Sequence, residues 1–156
     1  MSSTATAGFH ERRILRRYTT TSPEETSAVA AEFSGSLKAG TIVALTGDLG
    51  AGKTVFVKAV AAALGVQEEL TSPTYNLVAE YPGTPQVVHM DLYRLTEVSE
   101  FELLGVEDIL EGDAVTLIEW ADRAKPALPQ DRTVWVRILF GDGDRRTIEI
   151  EVPNDE

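Results

Sequence analysis

The chain has 156 residues, 43% hydrophobic and 25% charged, which fits one globular domain with a core of its own. It holds no cysteine and two histidines, which excludes a disulfide framework, a cysteine-based metal site and a zinc site built from histidine alone. A formal net charge of −11 argues against a surface that grips nucleic acid unaided, since phosphate contact calls for a basic face. Docking to a partner protein stays open.

Residues 1–8 are small and polar and are expected to be disordered, with one domain over 9–153. The N-terminal stretch lacks the apolar centre of a signal peptide. No apolar run approaches the roughly 18–20 residues of a membrane span. A cytoplasmic protein is expected. "RRILRRYTT" reads as a short strand carrying Ile14 and Tyr18, its arginines on a solvated face. Ser22-Pro23-Glu24-Glu25 marks a helix start, with Ser22 as cap and Glu25 completing a capping box. The helix is expected to reach Leu37, with Val29, Phe33 and Leu37 on one face.

"TIVALTG" is an apolar run of the kind found in buried parallel strands. A second helix follows from Gly52 to a stop at Gly65. "TYNLVAEY" and "QVVHMDLY" read as strands around a turn at Pro82-Gly83. "EVSEFELLGVEDIL" reads as one or two short acidic helices, with Glu97, Glu100, Glu102, Glu107, Asp108 and Glu111 on a solvated face. "DAVTLIEWA" is another buried strand, "ADRAK" a short helix or loop, and "RTVWVRILF" with "RRTIEIEV" a closing β-hairpin across "GDGD". Strands alternating with helices predict an α/β fold with a mostly parallel central sheet flanked by helices and a C-terminal hairpin.

Gly47-Asp48-Leu49-Gly50-Ala51-Gly52-Lys53-Thr54 matches the P-loop pattern G-x-x-x-x-G-K-[ST] in full, between a predicted strand and a predicted helix. The glycines let successive N–H groups face a phosphate, and the helix adds its positive end. Lys53 is expected to reach β- and γ-phosphates and Thr54 to bind Mg²⁺, with the loop from Asp48 to Val55 contacting nucleotide. Hydrolysis also needs a carboxylate on the metal and a group that orients water. Asp91 and Glu119 each end an apolar strand, at the end of an α/β sheet where ligands sit. Either acid alone also reads as a helix cap or a solvated carboxylate. "TSPTY" reads as an ordinary loop on composition; the alternative is a switch loop of Thr71, Ser72, Thr74 and Tyr75 that senses the γ-phosphate. By itself Trp120 reads as a core residue. His89 reads as a packed or hydrogen-bonded strand residue rather than a catalytic base.

Taken in order, "GDLGAGKT", "TSPTYNLV", "HMDLYRL" and "LIEWADR" resemble the TsaE (YjeE) family of threonylcarbamoyladenosine tRNA modification, over roughly residues 20–150. The resemblance implies a P-loop NTPase fold and a Mg²⁺-dependent ATPase. It implies TsaD-type and TsaB-type partners that install the threonylcarbamoyl group while this protein drives their turnover, with tRNA met only through the complex. Residue by residue, Lys53 falls on the family's phosphate lysine and Thr54 on its magnesium ligand. Glu119 falls on the acid associated with magnesium, Trp120 on the functional tryptophan beside it, and Asp91 on a second functional acid. Ser22 to Thr26 falls near the adenine, and Arg145 near the nucleotide. Two other readings compete. A small-molecule phosphotransferase usually brings lid arginines over the phosphates, and the segment after Asp91 offers only Arg94 early on. A non-hydrolysing nucleotide switch would bind ATP without turnover. A GTPase is disfavoured because no N-K-x-D segment occurs.

Overall fold

The computed structural model describes residues 12–48, 52–70 and 77–153. Strand β1 spans Arg12–Thr20 and helix α1 Pro23–Ser34. Ser22 caps α1, its Oγ accepting the Glu25 N–H at 3.1 Å. The Glu25 carboxylate reaches one residue further back than a capping box requires, accepting from Thr21 N–H at 2.6 Å and Thr21 Oγ1 at 3.0 Å. The helix stops at Ser34, short of the expected Leu37. There Ser34 and Ser36 donate their hydroxyls to the carbonyls of Ala31 and Phe33, and the backbone tightens into i→i+3 turns. Val29 and Leu37 still pack with Phe33 against one core.

Strand β2, Ile42–Gly47, leads to helix α2, Lys53–Ala63. Gly52 caps α2 with φ +110°, a left-handed conformation that favours glycine. The helix ends in a Schellman turn: Val66 N–H donates to Ala61 O and Gly65 N–H to Ala62 O, each at 3.0 Å. Then come β3 (Val78–Tyr81), β4 (Val87–Asp91), α3 (Val98–Glu102), α4 (Glu107–Glu111) and β5 (Val115–Glu119). A 3₁₀ segment, Ala121–Ala127, precedes β6 (Thr133–Phe140) and β7 (Arg146–Pro153), which close the expected hairpin. The acidic residues of the α3–α4 region are exposed, and Glu100 caps α3 by accepting from Thr96 and Glu97 N–H.

The seven strands form one sheet in the order β1-β7-β6-β2-β5-β4-β3. The sheet is mixed, which corrects the expectation of a mostly parallel one. The pairs β2–β6, β2–β5 and β4–β5 are parallel, whereas β1–β7, β6–β7 and β3–β4 are antiparallel. Short turns join β3 to β4 and β6 to β7, and a short turn can only return the chain antiparallel.

Alternation along β2 explains its unbroken apolar run. Val43 and Leu45 point to the core under α1 and α2, with Phe33, Phe56, Val57 and Val60. Ile42 and Ala44 point to the opposite core, with Met90, Phe101, Leu110, Ile118 and Trp135. Both faces of the central strands are covered, so no polar face is needed.

Candidate functional site

The parallel strands deliver the site because their carboxyl ends align. Asp91 pairs in register with Glu119, and Leu45 with Glu119 on the other side. Period-two alternation puts Asp91 and Glu119 on the α2 side of the sheet, in line with Val87, Val115 and Leu117.

Lys53 opens α2, where backbone N–H groups have no intrahelical acceptor and an anion is favoured. Its side chain turns back over the loop, Nζ donating to Gly47 O at 2.5 Å and Asp48 O at 2.8 Å. The residue is 4% exposed. Burial pushes the ammonium pKa down from its ordinary value, against the opposing pull of Glu119, Asp48, Asp122 and Asp91. The ammonium also lies 4.0 Å from the centroid of the Trp120 ring.

Glu119 is 3% exposed and both carboxylate oxygens are engaged. Oε1 accepts from Thr54 Oγ1 at 3.1 Å, and Oε2 lies 2.7 Å from His89 Nε2. Asp91 is half-buried, with Oδ1 accepting the Tyr93 N–H at 3.0 Å. Burial raises the Asp91 carboxyl pKa, the Tyr93 N–H lowers it, and the Glu119 charge raises it further. The Thr54 hydroxyl and the two carboxylates make an oxygen-only donor set suited to a hard cation. Among the described residues no three or more histidines or acids form a metal cage.

Trp120 follows β5 with φ +59°, unusual for a bulky residue. It is partly buried against the second core and also joins a stack: Tyr93 lies 5.0 Å away by ring centroids and the Arg123 guanidinium 5.3 Å. Arg123 Nη1 donates to Leu95 O at 2.9 Å. Trp120 thus combines the core reading with direct contact on Lys53. Tyr93 and Arg123 carry no sequence signal of their own.

On the flank, a cavity of about 120 Å³ is lined by Ser22, Pro23, Thr26, Gly52, Val55, Asp144 and Arg146. Ser22 and Val55 therefore sit together beside the N-terminus of α2. Arg145 does not line this cavity; it is exposed, with its side chain beside Gly141 in the hairpin turn. Its neighbour Arg146 lines the cavity, because β7 places it opposite Thr20, two residues before Ser22. That pairing spans most of the chain and leaves no local signature. Leu49, Gly50 and Ala51 of the loop, and Thr71, Ser72, Thr74 and Tyr75 of the switch-like segment, lie outside the described residues.

Comparison with known proteins bears on the same residues. The family model for "Threonylcarbamoyl adenosine biosynthesis protein TsaE" matches residues 20–148. A tRNA threonylcarbamoyladenosine biosynthesis protein TsaE from Bacillus subtilis is 39% identical over 88% of this chain and 87% of its own. One from Treponema pallidum is 44% identical over 70% of this chain and 81% of its own. A crystal structure of Bacillus subtilis YdiB superposes with a TM-score of 0.75 and 33% identity, covering 94% of this chain and 90% of that one. The family match runs from the end of β1 into β7 and takes in Lys53, Asp91, Glu119 and the cavity at Ser22, so this chain belongs to the TsaE family.

Proposed function

We propose that this protein is a Mg²⁺-dependent ATPase that supports threonylcarbamoyladenosine modification of tRNA by driving turnover of a TsaB–TsaD-type complex, without performing the transfer itself. The observation that carries the reading is the convergence of Lys53, Thr54, Asp91 and Glu119 at the carboxyl ends of adjoining parallel strands. The N-terminus of α2 binds the phosphates, and Lys53 swings from the Gly47 and Asp48 carbonyls to pair with the β- and γ-oxygens. Thr54 and Glu119 would hold Mg²⁺. A cation bound there would supply neutralisation of charge on the phosphates. Asp91 would organise Mg²⁺ or the attacking water.

The cavity at Ser22, Thr26 and Arg146 takes the adenosine end of ATP, and Trp120 holds Lys53 in place before the nucleotide arrives. The partner complex supplies what the site lacks for fast hydrolysis, and tRNA is met only through it. No helix among the described residues is long and apolar enough to cross a membrane, and the reading places the protein in the cytoplasm.

The test is Mg²⁺-dependent ATP hydrolysis, first alone and then with the TsaB–TsaD pair and tRNA. Slow solitary turnover that rises sharply with the pair, and vanishes in Lys53→Ala, supports the proposal. Turnover indifferent to the pair would return a small-molecule phosphotransferase to the front. Tight ATP binding with no turnover even with partners would make the protein a nucleotide switch.

A further inference from the structure

His89 is one residue whose chemistry the reading above does not use. It sits mid-strand in β4, 1% exposed, on the face that two residues later presents Asp91. Its Nε2 lies 2.7 Å from Glu119 Oε2, while its Nδ1 finds no hydrogen-bond partner among the described residues. Packing alone does not call for an imidazole here: an aliphatic side chain would fill the space without leaving a buried ring nitrogen unpaired. An ionised Glu119 accepts hydrogen bonds only, so a neutral imidazole facing it carries its proton on Nε2 and donates. Glu119 is then held at both oxygens, by Thr54 Oγ1 on Oε1 at 3.1 Å and by His89 on Oε2. With one contact the carboxylate could pivot about χ3; with two it cannot.

We infer that His89 is a positioning residue: its Nε2–H···Oε2 bond orients the Glu119 carboxylate so that Oε1 stays toward Thr54 and the magnesium site. The inference rests on the reading of Glu119 as a magnesium ligand. It assigns His89 no contact with nucleotide and no proton transfer. Strand β4 accordingly serves the site twice, with Asp91 at its end and His89 one step below.

The test compares wild type, His89→Leu, His89→Gln, Glu119→Gln and the double variant His89→Leu/Glu119→Gln. Each is measured by calorimetric ATP binding with and without Mg²⁺, and by the Mg²⁺ dependence of turnover with the partners present. In His89→Leu the metal-free ATP affinity should stay within about twofold, while the Mg²⁺-dependent gain in affinity and the apparent Mg²⁺ affinity in turnover fall roughly 10–100-fold. Glutamine places an N–H near the Nε2 position, so His89→Gln should recover most of the loss. In the double variant His89→Leu should add nothing to Glu119→Gln, because the carboxylate whose orientation His89 sets is no longer there.

Wild-type Mg²⁺ dependence in a folded His89→Leu, or a full extra loss in the double variant, would overturn the inference. If His89→Leu does not fold, His89→Gln and the ¹⁵N spectrum of the wild-type imidazole decide. An Nε2–H tautomer with near-normal Mg²⁺ dependence in His89→Gln supports the inference, and an Nδ1–H tautomer overturns it. If Glu119→Gln alone keeps wild-type Mg²⁺ dependence, the metal-ligand reading of Glu119 has failed, and the inference falls with it. A normal loss in Glu119→Gln beside an indifferent His89→Leu overturns only the inference.

Discussion

The parallel centre of the sheet and its antiparallel flank build different parts of the site, and by different means. In the centre, β2, β5 and β4 run the same way, so their last residues reach the same edge and Glu119 and Asp91 arrive side by side. The geometry there is set by register, with Lys53 and Glu119 buried and Asp91 half-buried beside them. On the flank, β7 runs against β1 and β6, and a chain reversal brings Arg146 back to Thr20 and the cap of α1. That side offers a cavity lined by a helix cap at Ser22, by Val55 and by one residue of each charge, Asp144 and Arg146. The centre has the makings of chemistry, and the flank those of selecting what is held there.

Substitutions can separate the two regions. The largest effect is expected at the centre. Lys53→Ala should lower partner-stimulated turnover by about 10²–10³-fold, the range for losing one charged transition-state contact. Its urea midpoint should change little, since the lost bonds go to loop carbonyls. A Lys53→Ala protein with unchanged turnover would place the chemistry elsewhere.

An intermediate effect is expected on the flank. Ser22→Ala removes the cap of α1 and should destabilise the fold by about 1 kcal/mol in urea denaturation. Nucleotide affinity should fall severalfold with kcat nearly unchanged. A kcat loss as large as that of Lys53→Ala would erase the distinction between the regions.

The smallest effect concerns pH. Burial raises the Asp91 pKa, so the folded protein holds that proton more tightly than the unfolded chain. The carboxyl thus favours folding while protonated, and that contribution is lost as pH rises through the folded pKa. Asp91→Asn should therefore be slightly more stable than wild type at pH 7, by at most about 0.5 kcal/mol for so partly exposed a group. The difference should fade below the carboxylate range, as followed by thermal melts from pH 3 to 8. Turnover should fall in the same variant. A stability gain that grows on acidification would reverse the sign of the burial effect.

Local pattern was enough for much of this molecule. Proline after Ser22 suits the first turn of a helix, glycine at position 52 suits the left-handed cap before Lys53, and apolar runs ending in Asp91 and Glu119 make buried strands with acids at their tips. Each of these depends on residues within a turn or two of one another, so the chain carries them without its fold. The end of α1 shows the limit even there, since two serine hydroxyls competing for carbonyls stopped the helix three residues early. The pairing of β1 with β7, the Arg146 side of the cavity, the contact of Trp120 with Lys53 and the grip of His89 on Glu119 lay beyond the sequence. Each joins residues far apart in the chain, and which of them meet depends on strand order and register. Those are decided by how two hydrophobic faces are covered at once, a property of the packed sheet and of no single segment.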